Sequence, residues 1–251
     1  MIDATRIAMV GGAALLGGAV NAIAGGGSLI TFPALVAAGL PPLIASVTNT
    51  VAMCPGYLGA TLAQRRDLAG QGRRAALLLP IGAAGGVGGA VLLLHTSSRT
   101  FDVIVPFLIL TAAILVGTQE RLRRRLLARV PMHRAEVLAA IPIGLAAIYG
   151  GYFGAGMGVM VLAALGVVLD DSLARINALK QTVSLAVNVS AALVFLIWGP
   201  IDWALTLVMA GAALAGGALG GVLATRIPPA VLRWTIVLLG VGVSAVYFAK
   251  L

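Results

Sequence analysis

Long apolar segments recur along almost the whole of this 251-residue chain. A helix needs about 20 apolar residues to cross the hydrocarbon core of a bilayer. Only 10% of the residues are charged, whereas a soluble domain has roughly a quarter. The sequence therefore predicts an all-α integral membrane protein of about eight to ten membrane helices, of which 28–39 and 155–169 are too short for a full crossing. The predicted segments are 4–24, 28–39, 43–63, 74–94, 101–117, 135–151, 155–169, 174–197, 202–223 and 229–249.

The positive charge of the chain is concentrated between membrane segments. Ten of the seventeen Lys and Arg residues lie in the stretches 64–74 and 118–134, and the rest of the chain is nearly neutral although the net charge is +9. Positive loops between apolar spans mark the cytoplasmic side of a membrane, so this pattern does not indicate nucleic-acid binding. We expect a multi-pass protein of the bacterial inner (cell) membrane with both stretches in the cytoplasm.

Two sequence landmarks occur twice. The run Gly85–Leu92 recurs as Gly216–Leu223, and the glycine-rich stretch 24–28 recurs as 154–158, with shifts of 131 and 130 residues. This repetition predicts two homologous membrane repeats, 1–117 and 135–251, joined by the basic cytoplasmic linker 118–134. The positive stretch 64–74 corresponds to a weakly negative one at 198–202, which favours inverted halves.

The glycine-rich stretches predict breaks in membrane helices. Glycine interrupts a helix, and an interrupted backbone inside a membrane is tolerated where it is buried in protein or lines a wet cavity. The helix that starts after each break presents free N–H groups that attract an anion. Ser28 and Thr31 follow the first break and could add hydrogen bonds. The alternative is that the glycines only allow close helix packing.

Two further groups of polar residues interrupt apolar segments. Thr48-Asn49-Thr50 would line either a cavity or a hydrogen-bonded helix interface. In the other half, Lys180 is the only charge between Ile176 and Trp198, with Asn177 and Gln181 beside it. A lysine within a membrane is a candidate for binding an anion. The alternatives are that it extends to the interface or pairs with a nearby aspartate, Asp170 or Asp171.

No pattern in the sequence indicates catalysis. The two histidines, His95 and His133, lie in loops without metal-ligand spacing, and there is no phosphate-binding glycine loop followed by Lys. No nucleophile with a neighbouring base can be proposed. We therefore expect neither an enzyme nor a cofactor nor a metal site.

Three stretches resemble the TauE/SafE sulfite exporter family. The run Asn21–Leu35 (NAIAGGGSLITFPAL) and the run Thr48–Ala52 followed by Pro55-Gly56 are similar to its first-half signature. The stretch Asn177–Gln181 is similar to its second-half motif. The resemblance covers most of the chain. It implies a duplicated membrane fold and secondary transport of small sulfur-containing anions such as sulfite, thiosulfate or organosulfonates, more often exported than imported.

Together, the residues and the resemblance predict an alternating-access exporter of such an anion. An anion channel or uniporter, and a membrane subunit without transport of its own, are the alternatives. The expected partners are the small anion and membrane lipids, and the chain is compatible with a homodimer. The residues expected to bind the substrate are Gly25, Gly26, Gly27, Ser28, Thr31, Asn49, Thr50, Gly156, Asn177, Lys180 and Gln181.

Overall fold

The structure, a computed structural model, describes residues 3–126, 139–224 and 229–249. Within these ranges the chain forms α-helices and one short 3-10 helix, Arg65–Leu68, and no strand. The predicted all-helical fold is confirmed. The helices are α1 (Ala4–Ile23), α2 (Ser28–Ala37), α3 (Pro42–Ala63), α4 (Gly72–Leu94), α5 (Ser98–Leu126), α6 (Ala140–Tyr152), α7 (Met157–Val168), α8 (Leu173–Trp198), α9 (Trp203–Leu223) and α10 (Pro229–Phe248).

The lengths and surfaces of the helices fit a bilayer. Five of the described helices, namely α1, α4, α5, α8 and α9, contain segments long and apolar enough to cross a membrane. Large apolar side chains cover the outside of the bundle, and Ile141, Leu207 and Leu238 are about 70% exposed (70%, 69% and 72%). Such a surface is stable in lipid and not in water. The predicted integral membrane class is confirmed.

The helix α5 is longer than the sequence analysis predicted. It continues to Leu126, although we expected a membrane segment that ended at residue 117 and a linker from residue 118. The sequence between Glu120 and Leu126 contains Glu, Arg and Leu, which are all good helix formers, so the helix continues beyond its apolar part. The rest of the predicted linker, 127–134, lies outside the described residues.

Glycines allow the helices of the two halves to pack closely. The helix α9 lies against both α1 and α3, and α4 lies against both α6 and α8. A Cβ atom at Gly216 would overlap the backbone of Leu15, and one at Gly89 would overlap the backbone at Ile148. These glycine-rich helices therefore pack with their backbones in close contact. Each of these four contacts joins a helix of the first half to a helix of the second.

Corresponding helices of the two halves run in opposite directions. Contacts at successive levels show that α1, α3 and α9 run in one direction, and that α4, α6 and α8 run in the other. The helices α3 and α8 are antiparallel, because Val47 meets Gly199 at one end and Gln64 meets Asn177 at the other. These directions agree with the predicted inversion of the halves, which stays a proposal. We call the two ends of the bundle the Arg74 side and the Asp202 side.

Candidate functional site

The first helix break lies between α1 and α2 and consists of residues 24–27. Gly25 has φ = 85°, a left-handed conformation that favours glycine. Its N–H group donates to the carbonyls of Val20 and Asn21, which ends α1 in a common glycine cap. The helix α2 then starts at Ser28, and the N–H groups of Gly26, Gly27 and Ser28 have no acceptor among the described residues. The predicted break is confirmed.

The second break, residues 153–156, lies between α6 and α7 and begins with the same glycine cap. It ends differently, because Gly156 before α7 is left-handed with φ = 75°, whereas Gly27 before α2 is right-handed with φ = −56°. Gly154 has φ = 79°, and its N–H group donates to the carbonyl of Tyr149, five residues earlier. The two breaks lie next to each other, because Gly25 touches the first turn of α7: a Cβ atom at Gly25 would lie 2.8 Å from the carbonyl carbon of Gly158. Here too the sequence prediction of a helix break is confirmed.

Three polar side chains form a hydrogen-bonded chain beside the first break. The hydroxyl of Thr31 donates to Oδ1 of Asn49 at 2.5 Å, and Nδ2 of Asn49 donates to the hydroxyl of Ser28 at 3.3 Å. All three side chains are buried. Because Ser28 and Thr31 lie in the first turn of α2, Asn49 of α3 holds this turn in place.

Lys180 reaches the same region from the other half. Its side chain is fully buried, and Nζ donates to the backbone carbonyl of Asn21 in the last turn of α1, at 3.2 Å. No carboxylate pairs with it in the described ranges, since Asp171 bonds to Arg74 and Arg175 instead. The structure therefore does not have the alternative arrangements, in which Lys180 extends to the interface or pairs with an aspartate.

Two amide side chains of α8 bind the same end of α1. Nε2 of Gln181 donates to the carbonyl of Asn21 at 3.2 Å, and Nδ2 of Asn177 donates to the carbonyl of Ala22 at 3.0 Å. The side-chain oxygens of Gln181 and Asn177 are buried and have no donor in the described part of the chain. Buried oxygens of this kind usually bind ordered water or a ligand.

We call Asn21, Ser28, Thr31, Asn49, Lys180 and Gln181 the polar cluster. Its members come from α1, α2, α3 and α8, so both halves of the chain contribute. Asn49 and Lys180 occupy the same position in α3 and α8, since each is the eighth residue of its helix. At a rise of 1.5 Å per residue, each lies about 10 Å from the start of its helix. The cluster thus lies well inside the bundle.

Not every predicted site residue lies in this cluster. Thr50 donates to the carbonyl of Ser46 in its own helix, so its hydroxyl is used locally. The Cβ direction of Gly156 points to Ala112 of α5, which supplies the three nearest atoms. Gly25, Gly26 and Gly27 form the first break, and Asn177 lies at its edge. The role of all these residues in binding stays a prediction.

Asn21 and Tyr57 were not among the predicted site residues. Asn21 lies in the last turn of α1, and its side-chain oxygen accepts a hydrogen bond from the Tyr57 hydroxyl at 3.5 Å. Both residues are almost completely buried. A polar residue at the end of an apolar helix and next to a glycine break was the available signal for Asn21.

Comparisons with known proteins identify the family. The model of the sulfite exporter TauE/SafE family matches residues 10–247. This chain belongs to the TauE/SafE sulfite exporter family. The chain is also similar to the probable membrane transporter protein YfcA of Escherichia coli, with 29% identity over 95% of this chain and 86% of the relative. A probable membrane transporter protein of Haemophilus influenzae is 30% identical over 80% of this chain and 78% of the relative.

These relatives place the chain among membrane transporters, which agrees with the predicted transport function at this level. No solved structure matches the chain. The assignment to a membrane transporter family is consistent with the expectation that the protein is not an enzyme.

Proposed function

We propose that this protein is a secondary transporter that exports a small sulfur-containing anion, such as sulfite, thiosulfate or an organosulfonate. The polar cluster is its substrate site. The observation that carries the proposal is that the amine of Lys180 is fully buried and has no carboxylate partner in the described ranges. The family name supports the sulfur chemistry of the substrate.

Electrostatics favours an anion beside Lys180. A lysine at the centre of a membrane helix costs about 2.5–3.5 kcal/mol on insertion scales. A bound anion would neutralise the ammonium group inside the protein and offset that cost. A neutral substrate would not offset it, so the charge on Lys180 supports an anionic one.

The first break supplies donors for the oxygens of such an anion. The free N–H groups of Gly26, Gly27 and Ser28 lie at the start of α2, where the helix dipole is positive. The hydroxyls of Ser28 and Thr31 lie in the same turn. A tetrahedral sulfur oxyanion or sulfonate has several acceptor oxygens that could bind these donors.

Alternating access would follow from the two halves. Equivalent helices run in opposite directions and the two breaks lie next to each other between them, which supports inverted repeats that rock about the polar cluster. We place the stretch 64–74 and the basic linker 118–134 in the cytoplasm of a bacterial inner membrane, on the Arg74 side. A negative-inside potential then favours export by about 2.3 kcal/mol per negative charge at 100 mV.

The proposal predicts that Lys180→Met abolishes substrate binding and transport. Purified protein would be reconstituted into liposomes, and the flux of radiolabelled sulfite, thiosulfate and an organosulfonate measured in parallel with binding by calorimetry. Lys180→Arg keeps the charge and should retain part of the binding. Thermal unfolding in detergent shows whether each variant is folded. Wild-type flux in folded Lys180→Met protein would contradict the proposed site.

The same liposomes distinguish the alternatives. A carrier shows saturable flux that is accelerated by substrate on the opposite side, whereas a channel shows no such counterflow. A subunit without transport of its own shows no flux of any of the three anions when it is reconstituted alone.

A further inference from the structure

Charged and amide side chains tie the two halves together on the Arg74 side. Asp171, which precedes α8, forms ion pairs with Nη1 of Arg74 at 2.7 Å and with Nε of Arg175 at 2.9 Å. Nη1 of Arg175 also donates to the carbonyl of Ala69 at 2.9 Å. Gln71 donates to the carbonyl of Arg175 at 3.0 Å. These bonds connect the loop after α3 to the start of α8.

Further hydrogen bonds cover the polar cluster from the Arg74 side. Gln64, at the end of α3, accepts a hydrogen bond from Asn177 at 2.9 Å, and Asn177 also binds the carbonyl of Ala22. Ala22 and Lys180 are fully buried beneath this layer. A substrate at the first break could therefore not leave towards the Arg74 side unless these contacts separate.

The opposite side is closed differently. Near Asp202 the contact between the halves is a hydrogen bond from the backbone N–H of Asp202 to the hydroxyl of Thr48 at 3.1 Å, together with the approach of Gly199 to Val47. No ion pair links the halves at this end in the described part of the chain. The charged contacts are thus confined to one side of the bundle.

We propose that Ala69, Gln71, Arg74, Asp171 and Arg175 form a latch that closes the Arg74 side of the transporter and opens once in each transport cycle. The closure itself is independent of the substrate, whereas its part in transport rests on the function proposed above. Opening breaks one ion pair between the halves, Arg74–Asp171, and two hydrogen bonds, and all three lie at the rim of the bundle, where water can replace them.

The latch stays charged under physiological conditions. Hydrogen bonding to Arg74, with a smaller contribution from Arg175, lowers the pKa of the Asp171 carboxyl from 3.8 to about 2. A lowered pKa means that the ion pairs stabilise the closed latch fully above the ordinary value, and that this stabilisation is lost only as the pH falls towards 2. We therefore expect the latch to be opened by movement of the halves and not by protonation of Asp171.

Cysteine labelling measures the opening directly. In a Cys54→Ser background, Ala22→Cys places a small buried thiol under the latch, and its reaction with a maleimide in detergent solution reports how often the latch opens. Asp171→Asn should speed up labelling by about tenfold, the factor that corresponds to 1.4 kcal/mol. Asp171→Glu, which keeps the charge, should label at a rate near that of the background protein.

Asp170→Asn is the matched control. Asp170 is the exposed neighbour of Asp171 and has no ion pair in the described ranges, so its substitution should leave the labelling rate unchanged. Equal labelling rates for Asp171→Asn and Asp170→Asn would overturn the latch. This result would not affect the proposed substrate site, because the measurement requires no substrate.

A covalent bridge provides a second test that does not require Asp171 to be changed. Ala69→Cys and Arg175→Cys, again without Cys54, can be joined by a short bis-methanethiosulfonate reagent and released by a reductant. Bridging should stop anion flux in liposomes, and reduction should restore the flux of the unbridged double variant. Unchanged flux after complete bridging contradicts a latch that has to open. Reconstituted protein with no flux before bridging contradicts the proposed function instead.

Discussion

The break between α1 and α2 and the break between α6 and α7 begin with the same glycine cap but differ in their side chains. Both use a left-handed glycine after the first helix, Gly25 or Gly154, and a new helix three residues later. The helix α2 opens with Ser28 and α7 opens with Met157. The glycine cap is therefore common to both halves, whereas the linked hydroxyl and amide side chains of the polar cluster are found at the first break.

Corresponding positions further along the halves show the same division of roles. Asn49 and Lys180 are both the eighth residue of their helices, yet both contact the first break: Asn49 binds Ser28, and Lys180 binds the Asn21 carbonyl. The second break is flanked by the buried apolar side chains of Phe153 and Met157, and the hydroxyl of Tyr149 donates to the carbonyl of Ala155 within it at 2.8 Å. The comparison suggests that one break binds substrate and that the other supplies packing.

The largest effect is expected from replacing the left-handed glycine of either break, Gly25 or Gly154, by alanine. Gly154→Ala should cost about 1–2 kcal/mol of unfolding free energy, because alanine is strained in the left-handed conformation. Gly25→Ala has the same strain and in addition places its Cβ 2.8 Å from Gly158, which adds about 1–3 kcal/mol of overpacking. Thermal unfolding in detergent compares the two variants. Equal melting temperatures would mean that Gly25 does not touch the first turn of α7.

A smaller effect is expected from Asn49→Ala. This change removes the side chain that connects Ser28 to Thr31, and we expect it to weaken substrate binding by about 1–3 kcal/mol, which is the cost of leaving buried partners unpaired. Thr50→Ala is the control, since Thr50 bonds within its own helix. Calorimetry with the transported anion measures both. If the two variants bind equally, the polar cluster is not the binding site.

The smallest effect concerns the first residue after each break. Ser28→Ala should weaken anion binding by about 0.5–1.5 kcal/mol, because one hydroxyl donor is lost. Met157→Leu keeps an apolar side chain of similar volume and should leave binding unchanged. The same calorimetric titration applies. A loss of affinity in Met157→Leu, with none in Ser28→Ala, would reverse the assignment of roles to the two breaks.

The local features of the fold could be predicted from the sequence, but the partners across the halves could not. Glycine clusters fixed the positions of both breaks, since their backbone requirement is local. The Asn21 carbonyl, by contrast, is the partner of Lys180 only because α8 crosses the end of α1, a contact between residues that are far apart in the chain.

Adjacent polar residues posed a similar problem. Asn49 and Thr50 are neighbours in the sequence, so both were assigned to the site. In a helix they point in directions about 100° apart, and a threonine can satisfy its hydroxyl with the carbonyl four residues earlier, as Thr50 does with Ser46. Only the orientation of α3 against α2 decides which of the two faces the break.

The position of α9 between α1 and α3 has a consequence for biosynthesis. The glycine-lined surfaces of α1 and α3 pack against Gly216 and Gly217 of α9, which is translated well after both of them. Until the ribosome has produced α9, the inserted first half has no partner for these surfaces. We therefore expect the early helices to remain unpaired in the bilayer, or bound to insertion factors, until α9 is inserted. A chain truncated after the first half should be degraded by membrane proteases.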